Sequence, residues 1–273
     1  MSSETQPPTF QLGFIGAGKL AGSVIRGLLL KGVCMPRQII ASEPNDELRQ
    51  MWERDAGICV TADNMEVAQR ATVVLIGVKP GVVLPVIQQA APALSGKVVV
   101  SLAAGTRLAS MEALGDARFM RVMTNIPSAL GDGASALARG SRTTDEDVEQ
   151  VRTMFGAIGV IVEVAEDQID AVTALAGSGP AFVYSVIEAL AQGGEREGLP
   201  PGTALALATS TVLGAARYAS ASNATPEELR RMVITPGGTT AAGLAAMERL
   251  GTTEGLIAAV QAAAERGREM AAS

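Results

Sequence analysis

The segment Thr235-Pro236-Gly237-Gly238-Thr239-Thr240 places three hydroxyls and two glycines in one tight turn, inside a half of the chain otherwise rich in Ala and Leu. Backbone N–H groups freed by glycine, followed at once by a helix start, form a concave donor array for a carboxylate or phosphate. The threonine hydroxyls add orientable donors. The same residues also read as a plain helix N-cap after a Pro-Gly turn, and the turn alone does not separate the two readings.

The other end of the chain shifts the balance. Phe10 to Ile15 is a short apolar run that meets Gly16-Ala17-Gly18-Lys19-Leu20-Ala21 and then an amphipathic helix over Ser23 to Lys31. In this strand, glycine turn and helix, Gly16 permits the sharp turn and Gly18 lets a pyrophosphate approach the backbone. Small Ala21 lets the helix pack closely on the strand, and the phosphates sit at the positive helix end. Lys19, inside the turn, adds charge to that site. A second strand, Gln38 to Ala41, ends at Ser42-Glu43, about twenty residues past the glycines, where an acid would bond an adenosine ribose 2′-OH. Taken singly, Glu43 reads equally well as a solvated loop charge beside Pro44.

What is missing narrows the chemistry further. The chain has no His, so an imidazole acid is not available. Its four lysines are Lys19, Lys31, Lys79 and Lys97, and none lies in the second half. That half therefore supplies no catalytic lysine or Schiff base. Cys34 and Cys59 have no ligand spacing, so no metal site is expected. A nicotinamide enzyme without a strong proton donor suits a substrate that already carries its proton. A cyclic imine, protonated as the iminium, is such an electrophile: hydride adds directly to its carbon. The protein then orients the ring, holds any carboxylate and stabilises positive charge on nitrogen.

These residues need a scaffold. A length of 273 residues suggests two domains, each able to bury a core. Aromatics make up only 3%, so Ala, Leu, Val, Ile and Met must fill the cores, which favours closely packed helices. The first 163 residues alternate short apolar runs with helical patterns, with strands expected at Thr72–Val78, Lys97–Leu102, Phe119–Met123, Ala134–Ala138 and Val160–Val164. This is an α/β, doubly wound, Rossmann-like sheet. Val78-Lys79-Pro80 and Ala103-Ala104-Gly105 fall at the strand ends, where a dinucleotide lies.

From Asp167 the pattern turns to helix after helix, broken at Gly177-Ser178-Gly179-Pro180, Gly198-Leu199-Pro200-Pro201, Ala224-Thr225-Pro226-Glu227 and the Pro236 turn. The expected domains are 1–164, dinucleotide-binding, and 165–273, all-helical. The stretches Ala171–Ile187 and Leu199–Ala216 carry no charge. They are too rich in Gly, Ser, Thr and Pro for membrane spans and are expected as helices buried on several faces. One chain does not supply enough apolar neighbours for them, so dimerisation through the helical half is expected. A net charge of −6 without a basic run argues against nucleic acid and anionic membranes. The unpaired cysteine spacing, with no signal-peptide pattern in Met1 to Phe10, points to a reducing cytoplasm.

Together these segments resemble the 1-pyrroline-5-carboxylate reductase family over nearly the whole chain. The marks stand in order: Gly13-Phe14-Ile15-Gly16-Ala17-Gly18, Val78-Lys79-Pro80, Ala103-Ala104-Gly105, Arg121-Val122-Met123-Thr124-Asn125-Ile126-Pro127, Gly177-Ser178-Gly179-Pro180-Ala181 and the Pro236–Thr240 turn. The resemblance implies a Rossmann domain followed by an interlocking helical dimerisation domain, often in rings of dimers, with the active site between domains at the dimer interface. It implies NADPH or NADH as cofactor, 1-pyrroline-5-carboxylate as substrate and L-proline as product, in proline biosynthesis.

Carried over by position, Ile15, Gly16, Ala17, Gly18, Lys19 and Leu20 hold the pyrophosphate. Ser42, Glu43 and Asn64 hold the adenosine ribose end, and Val78, Lys79, Pro80, Ala103, Ala104 and Gly105 line the nicotinamide side. Glu166 faces the ring nitrogen. Gly237, Gly238 and Thr239 donate N–H groups to the substrate carboxylate, and the Thr240 hydroxyl bonds the ring nitrogen. Thr235 stands where the family commonly has Ser. For Glu166 alone, a solvated carboxylate at a helix N-terminus is the alternative, with Asp167 beside it.

Glu43 departs from members that prefer NADPH. It repels a 2′-phosphate and accepts from a free 2′-OH, so appreciable NADH use is expected, with Arg37 and Arg49 the nearest basic side chains. Two other readings remain: a relative of the 3-hydroxyacid dehydrogenases, which lacks support because its helical-domain Lys is absent here, and a non-enzymatic dinucleotide-sensing protein.

Overall fold

The computed structural model describes residues 10–272, so most of the Met1–Phe10 stretch lies outside the described residues. Eight strands form one sheet: β1 (Phe10–Ile15), β2 (Ile39–Ser42), β3 (Cys59–Thr61), β4 (Ala71–Ile76), β5 (Val98–Ser101), β6 (Arg118–Met123), β7 (Gly133–Arg139) and β8 (Gly159–Glu163). Their order is β3-β2-β1-β4-β5-β6-β7-β8. The strands read as near-continuous apolar runs because helices cover both faces of the sheet. Helices α1 (Lys19–Leu30), α2 (Asp46–Ala56), α3 (Asn64–Arg70), α4 (Pro80–Leu94), α5 (Leu108–Glu112) and α6 (Asp145–Gly156) provide that cover. Val24, Ile25, Leu28, Trp52, Val151 and Phe155 of α1, α2 and α6 fill one core. Val67, Val83, Ile87, Leu108 and Met111 of α3, α4 and α5 fill the other.

The expected sheet is present, with three differences. β3 has only three residues, half-buried at the sheet edge, too short to leave a periodic signal. β7 runs antiparallel to β6, while every other pairing is parallel. The link from β6 to β7 is a short loop around a 3₁₀ turn, Ile126–Leu130, and a parallel return needs a crossover of a dozen or more residues. The first helix starts at Lys19 rather than Ser23, with Gly18 as its N-cap. Lys19 is therefore the first helical residue and not part of the turn.

The chain divides into two compact units, one running to Ser178 and including the chain from Ala263, the other Gly179–Ala262. In the first, a 3₁₀ turn (Glu166–Gln168) leads into α7 (Ile169–Val172) and a π-helical segment, Thr173–Gly177. The expected break at Gly177-Ser178-Gly179-Pro180 is a change of winding more than a loop. Pro180 has no N–H to give the carbonyl four residues back, that of Ala176. That carbonyl instead accepts from Asn125 Nδ2 at 3.1 Å, and the Ser178 N–H reaches Thr173 O at 2.9 Å.

The second unit holds α8 (Gly179–Arg196), α9 (Pro201–Ala221), α10 (Pro226–Met232), α11 (Thr239–Arg249) and the start of α12 (Thr252–Ala272). Thr225 caps α10 through a reciprocal bond with Glu228, as a Ser/Thr-x-x-Glu start predicts. The charge-free helices are not buried on several faces within this chain. Only Ala191, Ala204 and Ala208 form a buried apolar cluster there, while Tyr184, Leu207, Tyr218 and Leu250 are exposed. By length and composition alone the helical run Glu166–Arg196 passes for a membrane span, though the π segment and Gly-Ser-Gly-Pro interrupt it.

Candidate functional site

The C-terminal ends of five neighbouring strands, β3, β2, β1, β4 and β5, are laced together. Gly16 N–H donates to Ser42 O at 3.0 Å, Gly77 N–H to Ile15 O at 2.8 Å, Leu102 N–H to Ile76 O at 2.9 Å and Glu43 N–H to Thr61 O at 3.1 Å. The loops that follow carry the expected dinucleotide residues side by side. Gly16 has φ +87°, and a Cβ there would lie 2.8 Å from Val78 Cγ1. This position needs glycine both for its left-handed backbone and for space. A Cβ on Gly77 would meet Ala21 Cβ at 2.5 Å, so small residues on strand end and helix set the close packing.

Gly18 differs from both. It has an ordinary φ of −70°, and an added Cβ would find nothing within 4 Å. α1 begins here with no side-chain cap and no acidic residue in its first turn. The first N–H groups of the helix thus lack a side-chain cap, and the positive dipole end beside the space at Gly18 fits a pyrophosphate. Lys19 is exposed at the first helical position.

The ribose-end residues also converge. Ser42 Oγ donates to Asn64 Oδ1 at 2.7 Å. The nearly buried Glu43 carboxylate accepts from Ala17 N–H at 3.3 Å and from Asn45 N–H at 3.2 Å, while Trp52 Nε1 holds Ala17 O at 3.0 Å. Glu43 is therefore fixed against the glycine loop and is not a loose loop charge. Arg49 donates to Glu43 O at 2.6 Å and to Pro44 O at 2.9 Å, and pairs with Asp46 at 2.9 Å. Arg37 is exposed. On the other side of the crevice Lys79 is exposed as the N-cap residue of α4 and Pro80 opens that helix. Ala103 is buried, and Ala104 and Gly105 (φ +74°) lead toward α5.

Glu166 joins this crevice through partners the motif reading did not assign. Its Oε1 accepts from Leu108 N–H at 2.6 Å, at the start of α5, and from Arg121 Nη1 at 3.1 Å. Arg121 is 1% exposed in the middle of β6, and its Nε and Nη2 have no hydrogen-bond partner among the described residues. Burial pushes its guanidinium down from the ordinary value, opposed by the hydrogen bond and charge of Glu166 and the charge of Asp170. Buried Asp170 pairs with Arg107 at 3.3 Å, so two acids from the 166–170 segment face two arginines. The sequence signal for this was a charged residue inside the apolar run Arg118–Met123; the identity of its partner, 45 positions away, was not legible.

In the helical unit, Thr235-Pro236-Gly237-Gly238 forms a β-turn, with Gly238 N–H donating to Thr235 O at 2.9 Å and Gly237 at φ +71°. Proline second and glycine third is the type II signature. A Cβ on Gly238 would stand 2.2 Å from Thr235 Oγ1, so the hydroxyl occupies the space that glycine leaves. α11 starts with Thr239 and Thr240 on the Gly238 N-cap, with neither a side-chain cap nor a first-turn acid. This is a second uncapped helix start following glycine. Among the described residues no group of three His, Cys, Asp or Glu side chains is placed to hold a metal.

Known proteins resemble this chain in sequence and fold. A family model described as pyrroline-5-carboxylate reductase dimerisation matches residues 166–270, and one described as NADP oxidoreductase, coenzyme F420-dependent, matches residues 11–105. The chain is 43% identical over 264 residues to the pyrroline-5-carboxylate reductase of Pisum sativum, covering 96% of each. To that of Methanosarcina acetivorans it is 38% identical, covering 95% of this chain and 97% of the relative. Among solved structures, a Coxiella burnetii pyrroline-5-carboxylate reductase superposes with a TM-score of 0.87 at 33% identity, covering 96% and 98%. A Plasmodium falciparum pyrroline carboxylate reductase with NADP bound superposes at 0.88 and 26% identity, covering 97% and 100%.

Proposed function

The chain belongs to the pyrroline-5-carboxylate reductase family, and from that premise we propose how its residues divide the work of reducing 1-pyrroline-5-carboxylate to L-proline, the last step of proline biosynthesis. A bound nicotinamide supplies the hydride that adds to the imine carbon. The chain's own task is to bind, orient and match charge. The observation that carries this reading is the pair of uncapped helix starts, at Gly18 and at Gly238, each following glycine and free of acidic residues in its first turn.

The start of α1, from Ile15 to Leu20, holds the pyrophosphate on backbone N–H groups with Lys19 adding charge. Ser42, Glu43 and Asn64 take the adenosine ribose, and Val78, Lys79, Pro80, Ala103, Ala104 and Gly105 line the nicotinamide side. Because Glu43 is fixed at the glycine loop and Arg49 is occupied by carbonyls and Asp46, the ribose end favours a free 2′-OH, and NADH is used appreciably beside NADPH.

At the substrate, N–H groups of Gly237, Gly238 and Thr239 hold the carboxylate, with Thr235 shaping the turn. The Thr240 hydroxyl bonds the ring nitrogen, and ionised Glu166 faces the positive charge there. No separate proton donor is required for an iminium, in keeping with a chain that lacks His. Residues 165–273 serve dimerisation and substrate binding and residues 1–164 the cofactor, a division supported by the dimerisation match that begins at 166. The assembly is a homodimer through the helical half, with rings of dimers as its larger form. Two free cysteines suit a cytoplasmic location.

The test is oxidation of NADH and of NADPH with 1-pyrroline-5-carboxylate, for the wild type and for Thr240→Val. Turnover that collapses in the variant supports the assignment of the Pro236 turn. Undiminished turnover removes Thr240 from the site.

A further inference from the structure

A guanidinium with two unsatisfied nitrogens, buried in the middle of a β-strand, is a costly feature. Leaving a buried polar nitrogen without a partner forfeits its hydration with nothing in return, and such groups in a folded protein call for an explanation. Arg121 has this position, and its one side-chain contact to a candidate site residue is Nη1 to Glu166 Oε1 at 3.1 Å. The same oxygen takes the Leu108 N–H at 2.6 Å. Oε1 is thus held from two directions, by a strand and by a helix start, while Oε2 accepts no hydrogen bond among the described residues. Glu166 itself is 27% exposed at the side chain.

Resting on the reading of Glu166 given above, we propose that Arg121 is a positioning residue for the reductase reaction. It clamps Glu166 through Oε1 so that Oε2 alone is presented to the positively charged ring nitrogen. Arg121 has nearly no exposed surface and does not itself touch substrate. It acts by restricting the carboxylate to one rotamer and one free oxygen, so that no reorientation is needed as charge at the ring nitrogen changes during hydride addition. Asp170, paired with Arg107 at 3.3 Å, supplies the second negative charge beside this guanidinium, and the cluster of Arg107, Arg121, Glu166 and Asp170 is balanced.

A double-mutant cycle on the full-length enzyme tests this, using Arg121→Met, Glu166→Gln and the two combined, with Arg121→Lys as the conservative variant. Read out are kcat, KM for 1-pyrroline-5-carboxylate, Kd for NADPH and thermal unfolding. Glu166→Gln and Arg121→Met are each expected to lower kcat about tenfold or more. KM for the substrate and Kd for NADPH change little, because carboxylate and pyrophosphate are held elsewhere. Arg121→Lys recovers part of kcat, and Arg121→Met costs nothing further once Glu166 is Gln.

Independent, multiplicative losses in the double variant, or an unchanged kcat in Arg121→Met beside a reduced one in Glu166→Gln, overturn the role of Arg121 and leave Glu166 in place. An unchanged kcat in Glu166→Gln removes the reading of Glu166 and the positioning role with it. Should Arg121→Met not fold, Arg121→Lys carries the cycle: its deficit must vanish in the Glu166→Gln background, and a deficit that persists refutes the proposal.

Discussion

The Glu43 carboxylate accepts the backbone N–H of Ala17 at 3.3 Å, so an acid at the end of β2 is tied directly to the glycine loop that follows β1. A 2′-phosphate placed at this ribose end would meet a fixed negative charge rather than a mobile one, with the nearest guanidinium, Arg49, already engaged. Glu43→Ser is expected to shift the NADPH to NADH ratio of kcat/KM toward NADPH by about tenfold or more, the size of one unfavourable charge contact. Parallel initial rates with the two cofactors measure it, and an unchanged ratio takes Glu43 out of cofactor choice.

Two glycines of the same loop separate fold from binding. Gly16→Ala forces a side chain into a left-handed backbone and against Val78 and Gly77, and is expected to destabilise the domain by about 1–2 kcal/mol. Gly18→Ala meets no protein atom within 4 Å and has ordinary backbone angles, so its effect on thermal unfolding should be slight. Its methyl group instead stands in the open space before the α1 N-terminus, where the pyrophosphate is proposed to sit. Cofactor Kd should therefore rise in Gly18→Ala while Tm holds, and unaltered cofactor binding would place the phosphates elsewhere.

Acid stability has a local source in Asp147. Desolvation pushes its carboxyl up. The hydrogen bonds from Arg118 and Thr144 and the Arg118 charge outweigh this, leaving it below the ordinary value of 3.8. The Arg118 contact is bidentate, at 2.7 and 3.1 Å, and Asp147 also completes the capping box of α6 with Thr144. A carboxyl lowered on folding contributes stability that is full above its unfolded value, and this stability is lost as pH falls through the folded value. Asp147→Asn is expected to lower Tm at neutral pH, by about 1–3 kcal/mol of stability. The gap to the wild type should narrow only below about pH 3.8. Thermal melts across pH 2–7 check this, and a gap independent of pH would show that the cap, not the charge, is lost.

Much of the geometry of the proposed dinucleotide face was legible because it is local. The strand ends, Gly16, Gly18, Ala21 and Glu43 lie within one strand-turn-helix-strand unit, where glycine and chain direction dictate geometry. The strand β7 was legible but its antiparallel direction was not, nor was the three-residue β3, since the direction depends on the length of a loop and β3 on pairing with β2 rather than on its own pattern. Arg121 stands in a motif that by itself gives it no role. Its meaning comes from Glu166 and from Asp170, which a separate segment brings beneath it, and no period in sequence records that approach. The Gly-Ser-Gly-Pro segment reads as a break because Pro180 removes a helical hydrogen bond. The winding continues because Asn125, from another loop, takes the freed carbonyl of Ala176.

The exposed apolar surface of the helical unit argues for a partner. Its buried apolar cluster is three alanines, whereas Tyr218 is 60% and Leu250 77% exposed, and Leu205, Leu207 and Leu213 of α9 are open as well. Three buried methyl groups do not offset the ordering of five helical segments. Exposed leucines and tyrosines on helices with long charge-free stretches match the core of an obligate interface, which buries upward of about 2,000 Å². The wild type is therefore expected to scatter light as a dimer or a multiple of it at micromolar concentration. Leu207→Glu places an unpaired charge in that surface and should shift the population to monomer, with helicity and turnover falling together on dilution. A wild type that stays monomeric, with its helices folded, would show that α8 to α12 find their stability within one chain.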